Sequence, residues 1–438
     1  MNKTLVVGAG LAGCEAAWQL AERGFLVTLT EQKPRRRTPA HKSDDFAELV
    51  CSNSLRSDRL ENAVGLLKEE MRRLGSLILS CADETRVPAG GALAVDREGF
   101  AALVTRRIRG HKNIEIAEGE ATCLPEAPAI IATGPLTDGP LAQDIERQLG
   151  QALHFYDAAA PIVTAESLDH SKVFAASRYG RGADYLNCPM TREEYFAFWQ
   201  ALVEAQTVPL AAFETPRVFE GCLPVETLAK RGEKTLAFGP LKPVGLEVDG
   251  RRPFAVVQLR RDNAPGSLYN LVGFQTNLTF PEQRRVFSMI PGLEKAEFAR
   301  YGVMHRNTFL PSPQLLNHDY SLRGRQGLYF AGQLTGVEGY VESAASGLVA
   351  GLAMARYLRG QPPVDFTRQT AIGALAHYVS SGNGLDFQPM NVAFGLLEPL
   401  SGRVKNKRER NLTLAERALN IVKEKQTLMN KEDSNDIL

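Results

Sequence analysis

The chain has 438 residues, 44% of them apolar and 23% charged, with a net charge of +1. That length exceeds a single simple core and predicts two or three domains. No run of about 18 apolar residues occurs, so no membrane span is expected, and the near-zero net charge hides local bias.

The N-terminus, MNKTLVVGAGLAG, has the lysine and short apolar stretch of a signal peptide. Gly8, Gly10 and Gly13 interrupt that stretch, and it runs straight into a helical pattern, so it reads as a buried first strand. Residues 3–8 (KTLVVG) form this strand, and residues 11–23 follow as a helix with Ala12, Ala16, Ala17 and Leu20 on one side. Gly24 closes the helix, and residues 26–30 form a second strand ending at Glu31. Strand, glycine turn, helix, strand and acid make a dinucleotide-binding unit. Gly8 permits the turn, Gly10 lets the backbone approach a diphosphate, and Gly13 lets helix and strand pack closely. Free N–H groups at the helix start, over Ala9, Leu11 and Ala12, hold the phosphates. Glu31, 18 residues beyond Gly13, accepts hydrogen bonds from the adenosine ribose.

A basic cluster follows: Lys33, Arg35, Arg36, Arg37 and Lys42. Next comes Cys51 in LVCSNSLRSD, crowded by small polar residues with Arg56 nearby, a composition that suits a loop against a ligand. Residues 129–134 (AIIATG) are another apolar strand, ending in Thr133 and Gly134. From about Cys188 to Tyr301 the chain changes character, with an aromatic helix (Tyr195, Phe196, Phe198, Trp199) and strand-like runs at 254–259 and 268–274. Within it Cys222 lies in FEGCLPVE, on a glycine–proline turn that favours an accessible thiol, with Glu226 reading as a surface acid. Residues 328–332 (LYFAG) are a late strand, followed by Gln333 and a helix over about 341–357. Flavoproteins with two dinucleotide-binding domains close their FAD site with such a strand and helix, whose N-terminus faces the N1–C2=O edge of the flavin.

The expected fold class is therefore α/β: a discontinuous Rossmann-like, glutathione-reductase-type FAD domain (1–187 and 302–438) with an inserted α+β domain (188–301). Thr133, Gly134, Gly332 and Gln333 complete the FAD site. Arg403, Lys405, Lys407, Arg408 and Arg410 form a second basic cluster, and about residues 428–438 read as a disordered tail. Two basic clusters in a neutral chain point to a polyanionic partner. Six cysteines without a C-x-x-C pair or a histidine at ligand spacing predict free thiols in a reducing cytoplasm and no metal. Cys14 reads as a core residue, and Cys81, Cys123 and Cys188 have no distinguishing context.

GAGLAGCEAA, CSNSLRSD, ATGPLT, CLPVE, FGPLKPVGL, VVQLR, YNLVGFQT, HRNTF and LYFAGQLTGVEGYVESAASG occur in this order over most of the chain. Together they resemble the folate- and FAD-dependent tRNA (uracil-5-)-methyltransferases, relatives of a larger flavoprotein that modifies wobble uridines. The resemblance implies a methylene carbon taken from methylenetetrahydrofolate and placed on uridine C5 in the tRNA T-loop. Reduced FAD then converts it to methyl, with NADH or NADPH as reductant. By position the family's two functional cysteines fall on Cys51 and Cys222. Cys222 is the expected nucleophile at uracil C6; Cys51 is expected near the flavin, as acceptor of the C5 proton or as a shield of the one-carbon adduct. Folate is expected on His305, Arg306 and Tyr340, and RNA phosphates on Arg35, Arg36, Arg37, Arg403, Lys405, Lys407 and Arg408. An rRNA uridine methyltransferase and a small-molecule flavin oxidoreductase are the alternatives.

Overall fold

The computed structural model describes residues 3–38, 40–150, 153–180, 182–209, 223–248, 250–381, 387–402 and 404–435. Five short strands form a parallel sheet in the order Leu328–Phe330, Ala129–Ile131, Thr4–Val7, Val27–Glu31 and Ile114–Glu118. Val6, Leu29, Ile130 and Phe330 are fully buried. Such apolar strands need cover on both faces, which a parallel sheet gains from crossover helices. One cover is the helix Leu11–Glu22; the late helix Tyr340–Leu358 packs directly on it. Glycine sets that separation, since a Cβ at Gly347 would stand 2.1 Å from the Ala12 carbonyl oxygen. The first and last thirds of the chain thereby share one hydrophobic core, which is the split α/β architecture read from the glycine turn and the LYFAG strand.

A second sheet of six antiparallel strands runs Phe174–Ala175, Tyr185–Met190, Ala255–Arg261, Leu268–Leu271, Ile162–Thr164 and Phe298–Arg300. Its own core holds Tyr195, Phe198, Phe274 and Phe287, all fully buried. The aromatic helix over this sheet, Arg192–Glu204, starts in a capping box in which Thr191 and Glu194 satisfy each other's backbone N–H. The sheet draws in strands from Ile162 onward, so Cys188 falls inside a strand of it rather than at its edge. An antiparallel pair, Leu153–Ala158 with Met304–Phe309, lies where the chain leaves and re-enters the first part.

The C-terminal residues differ from expectation. Lys407–Asn435 is one helix, and Ala415, Ala418, Val422 and Met429 are buried on it. Its stripe packs beside the helix Ala63–Arg73, and Arg356 pairs with Glu432. Three- and four-residue spacing of small and apolar side chains overrides the charged composition that suggested disorder. No helix among the described residues is long and apolar enough to cross a membrane.

Candidate active site and cofactor cleft

At the carboxyl ends of the parallel strands lies a cleft, the position where open α/β sheets bind ligands. Gly8 holds φ +98°, and a Cβ there would meet the Ala132 carbonyl oxygen at 2.6 Å. At Gly13 a Cβ would stand 1.7 Å from the Gly8 carbonyl oxygen, whereas at Gly10 nothing lies within 4 Å. Two glycines thus allow backbone contact, and the third leaves open space in front of the helix start. No side chain caps that helix, so its first-turn N–H groups are available to an anion.

The cleft is lined at one side by Thr30, Glu31, Gln32 and Lys33, then by residues 8–12 with Thr133 and Gly134, and at the other side by Gly332, Gln333, Tyr340 and Ser343. The strands ending at Glu31 and Phe330 are three ladder spacings apart, or about 14 Å. That length suits an extended dinucleotide. Glu31 is buried and accepts from the N–H of Ala9 (2.8 Å) and of Lys33 (3.0 Å). Each carboxylate oxygen retains a second acceptor site for a ribose hydroxyl. Of the nearby basic cluster, Arg36 pairs with Glu120 and Asp138, Arg37 pairs with Asp44, and Arg35 is exposed. Local acids therefore offset part of the charge expected to face RNA.

Cys51 lies on the loop before the strand Ser54–Ser57 and is half-buried. The Tyr340 hydroxyl, at the start of the late helix, accepts from the backbone N–H of Cys51 (2.6 Å) and Ser52 (3.2 Å). Burial pushes the Tyr340 phenol well above its ordinary range, which keeps it a neutral hydroxyl. The Cys51 thiol donates to the Ala158 carbonyl at 3.7 Å. Because Tyr340 also lines the cleft, this contact brings the thiol loop to the cleft's Gly332 side.

Three arginines hold the same loop, Arg260 and Arg300 buried and Arg97 partly so. Arg97 donates to the Leu49 carbonyl and forms a two-pronged pair with Asp262 at 2.9 and 3.0 Å. Arg300 donates to the Val50 carbonyl. Arg260 reaches Ser52 Oγ at 2.6 Å and Asn53 Oδ1 at 2.9 Å. Burial pulls Arg260 and Arg300 below the usual guanidinium range; burial also opposes the charge of Arg97, but Asp262 outweighs it. Asn53 is fully buried and donates to the carbonyls of Val95 and Arg261, at 2.9 Å each. Arg260 and Arg300 come from the second sheet and Arg97 from the first part, so the thiol loop is clamped between the two. Sequence reading missed all three. Arg260 ends the VVQLR block, the only signal that pointed to any of them.

Behind the loop, Lys68 is fully buried and donates to the carbonyls of Leu55 (2.8 Å) and Ser57 (2.6 Å). Burial lowers its pKa to about 7. Arg56, with φ +62°, pairs with the buried Glu342 and donates to Asn391 Oδ1 at 2.8 Å.

Cys222 and Arg403 lie outside the described residues, as do the side chains of His305 and Arg306, whose backbone runs in the strand Met304–Phe309. Lys405, Lys407 and Arg408 are exposed at the start of the C-terminal helix. Glu226 corrects an expectation: it is buried, not a surface acid. It accepts from Thr276 Oγ1 (2.8 Å) and the Asn277 N–H (2.7 Å) and ties the segment after Cys222 to residues 276–277. Burial raises its pKa. Cys14, Cys81 and Cys188 are fully buried, and Cys123 is exposed.

Residues 3–362 match the family model described as "Glucose inhibited division protein A". A protein of Desulforudis audaxviator named methylenetetrahydrofolate–tRNA-(uracil-5-)-methyltransferase TrmFO is 62% identical over 422 residues, covering 95% of this chain and 96% of the relative. The chain belongs to this family. The Bacillus subtilis protein of the same name is 59% identical over 421 residues, covering 95% of this chain and 97% of the relative. The methyltransferase family shares its fold with GidA. A crystal structure of Aquifex aeolicus GidA superposes with a TM-score of 0.66 at 16% identity, over 98% of this chain and 76% of that one.

Proposed function

We propose that this chain transfers a methylene carbon from 5,10-methylenetetrahydrofolate to C5 of a uridine in the tRNA T-loop and reduces it to methyl. The observation that carries the reading is the 2.6 Å contact from Cys51 N–H to the Tyr340 hydroxyl. It joins a thiol loop to the cleft of a dinucleotide fold, in a chain whose relatives are named for this activity.

The residues present fit FAD. Glu31 would hold the ribose, and Gly8, Ala9, Gly10, Leu11, Ala12 and Gly13 the diphosphate. Thr133, Gly134, Gly332 and Gln333 would flank the flavin, with the N-terminus of the helix Tyr340–Leu358 favouring negative charge beside it. When bound and reduced by NADH or NADPH, FAD supplies the hydride that turns methylene into methyl.

Uracil C5 becomes nucleophilic only after addition at C6. The Cys222 thiolate adds there, and the electron pair released to C5 forms the bond to the methylene carbon. The C5 proton then leaves to a base as the bond from the methylene carbon to the folate nitrogen breaks and releases tetrahydrofolate. Hydride addition would then complete the methyl group as the C6–sulfur bond breaks and the Cys222 thiolate is restored. Cys51, on its clamped loop, takes the C5 proton or shields the one-carbon unit from water. Tyr340 orients that loop through two N–H bonds and, with His305 and Arg306, borders the folate. The target base must leave its stack to reach a thiol. Arg35, Arg36, Arg37, Arg403, Lys405, Lys407 and Arg408 contact phosphates, so retention falls steeply with salt.

Mass-spectrometric mapping of 5-methyluridine in total RNA, with and without the gene for this chain, tests the reading. Loss from tRNA T-loops is expected. Loss from ribosomal RNA alone would redirect it to rRNA methylation, and no loss would overturn both. Replacing Cys222→Ala in the purified protein should abolish methyl transfer while flavin remains bound.

A further inference from the structure

The inserted sheet carries a basic groove that the reaction leaves without a role. Its floor is the sheet end formed by Met190 and Phe254, and Arg192, Lys242, Arg251 and Arg252 stand around it. The groove encloses about 710 Å³. Arg192, Arg251 and Arg252 are exposed, and no ion pair joins any of the four cations to an acid among the described residues. Glu194, the acid in the lining, is engaged in the capping box, where it accepts from the Thr191 N–H at 2.7 Å. Four cations against one lining carboxylate are a marked local excess among the described residues of a chain of net charge +1.

Aromatic surface accompanies the charge. Phe238, on the groove wall, is 79% exposed, and Tyr179, beside Lys242 with the ammonium 5.9 Å from its ring centre, is 54% exposed. An exposed phenylalanine among cations matches the way single-stranded nucleic acid is held: phosphates on charge, an unpaired base stacked on a ring. The groove also has a fixed relation to Cys51. Met190 pairs with Ala255 at the groove, and Tyr185 pairs with Arg260 at the other end of the same two strands. Five residues of strand span about 17 Å, and Arg260 there bonds Ser52 and Asn53. The groove thus lies at the far end of the strand pair whose other end anchors the Cys51 loop.

We propose that this groove docks the RNA substrate, with phosphates on Arg192, Lys242, Arg251 and Arg252 and an unpaired base on Phe238. The proposal rests on the tRNA reading of the function and adds where the RNA arm is gripped while its target uridine enters the cleft. The cluster at Arg36 and Arg37 is tied up in ion pairs with its own acids; among the described residues the four groove cations are in none.

The test measures binding of an unmodified tRNA transcript to the full-length, flavin-loaded protein by fluorescence anisotropy between 50 and 200 mM salt. Each lost phosphate contact lowers the slope of log affinity against log salt by roughly 0.7 to 0.9. An Arg251→Gln/Arg252→Gln double variant should therefore lose about 1.5 from the slope. Phe238→Ala should weaken binding about 10-fold with the slope unchanged, because stacking releases no counterions. All three side chains are exposed, so flavin content and melting temperature should match the unmodified protein. Wild-type affinity and slope in both variants overturn the groove assignment and leave the function reading standing. Failure of the unmodified protein to retain the transcript overturns both. Capture of phosphatidylglycerol vesicles through these arginines, with RNA affinity unaltered, likewise overturns it.

Discussion

Arg260 tests whether the Cys51 loop works only when clamped. In Arg260→Met the apolar stem is preserved, while the bonds to Ser52 Oγ (2.6 Å) and Asn53 Oδ1 (2.9 Å) disappear. Hydrogen bonds from a charged donor contribute roughly 1.5–3 kcal/mol each, so about 3–6 kcal/mol of loop anchoring is removed. Against this, a guanidinium only 7% exposed no longer has to be desolvated, a relief of several kcal/mol. Ser52 Oγ still accepts from the Ser54 N–H at 3.1 Å, and the Asn53 amide keeps its two donated bonds. The two effects nearly cancel in global stability, and the net change should stay within about 2 kcal/mol.

They do not cancel in position. A catalytic group displaced by about 1 Å can cost on the order of 100-fold in rate. Arg260→Met should therefore form 5-methyluridine about 100-fold more slowly per bound flavin, with a near-normal melting temperature. Arg260→Lys should recover little, because one ammonium cannot fork to two acceptors as a guanidinium does. The assay is turnover on a tRNA transcript, normalised to flavin absorbance, beside a thermal melt. Wild-type turnover in Arg260→Met would refute the clamp. So would a rate loss that merely follows loss of flavin or fold, which would make Arg260 a general structural residue rather than a positioning one.

Gly13→Ala places a methyl group 1.7 Å from the Gly8 carbonyl oxygen, so the first helix must shift by more than an ångström; purified protein should lose its visible flavin absorbance, and stoichiometric flavin would count against the diphosphate assignment. Burial raises the Cys81 thiol to about 11 and Cys188 to about 12, so iodoacetamide at pH 8 should label Cys123 and Cys51 in the folded protein and spare Cys14, Cys81 and Cys188 until unfolding. Lys68 sits near 7 in the folded protein and about 10.4 unfolded, so between those values the unfolded chain binds the extra proton and stability rises with pH. That contribution is complete above the unfolded pKa and is lost as pH falls toward 7. Urea melts at pH 7 and 9 should show Lys68→Met lacking a rise of up to about 1.4 kcal/mol per pH unit; an unchanged slope would mean Lys68 is charged when folded.

The nucleotide cleft was legible because its parts are close in sequence and each answers a local constraint. Gly8 and Gly13 touch one another, and Glu31 reaches Ala9 across a single helix–strand unit. The arginine clamp has no such local signature. Arg97, Arg260 and Arg300 meet residues 49–53 across sequence separations of up to 250, and an arginine read in isolation defaults to solvent. Glu226 was misread for the same reason: its burial depends on Thr276 and Asn277, about fifty residues away. The C-terminal helix is a different case. The spacing of Ala415, Ala418, Val422 and Met429 was visible, but the charges between them concealed the stripe.

The clamp also accounts for why the thiol lies where two sheets meet. A loop held only by the dinucleotide fold would follow the late helix through Tyr340. A loop held only by the inserted sheet would follow the basic groove at that sheet's far end. Cys51 is tied to both, through Tyr340 and Arg97 on one side and Arg260 and Arg300 on the other. Any rotation of the inserted sheet against the first core must therefore strain this loop or release it. The strands Leu153–Ala158 and Met304–Phe309, paired over six residues, resist that rotation at the junction itself. The position of the thiol relative to the cleft is thus set by the contact between the two parts. Substitutions at that contact should act on methyl transfer before they act on folding, as Arg260→Met is expected to show.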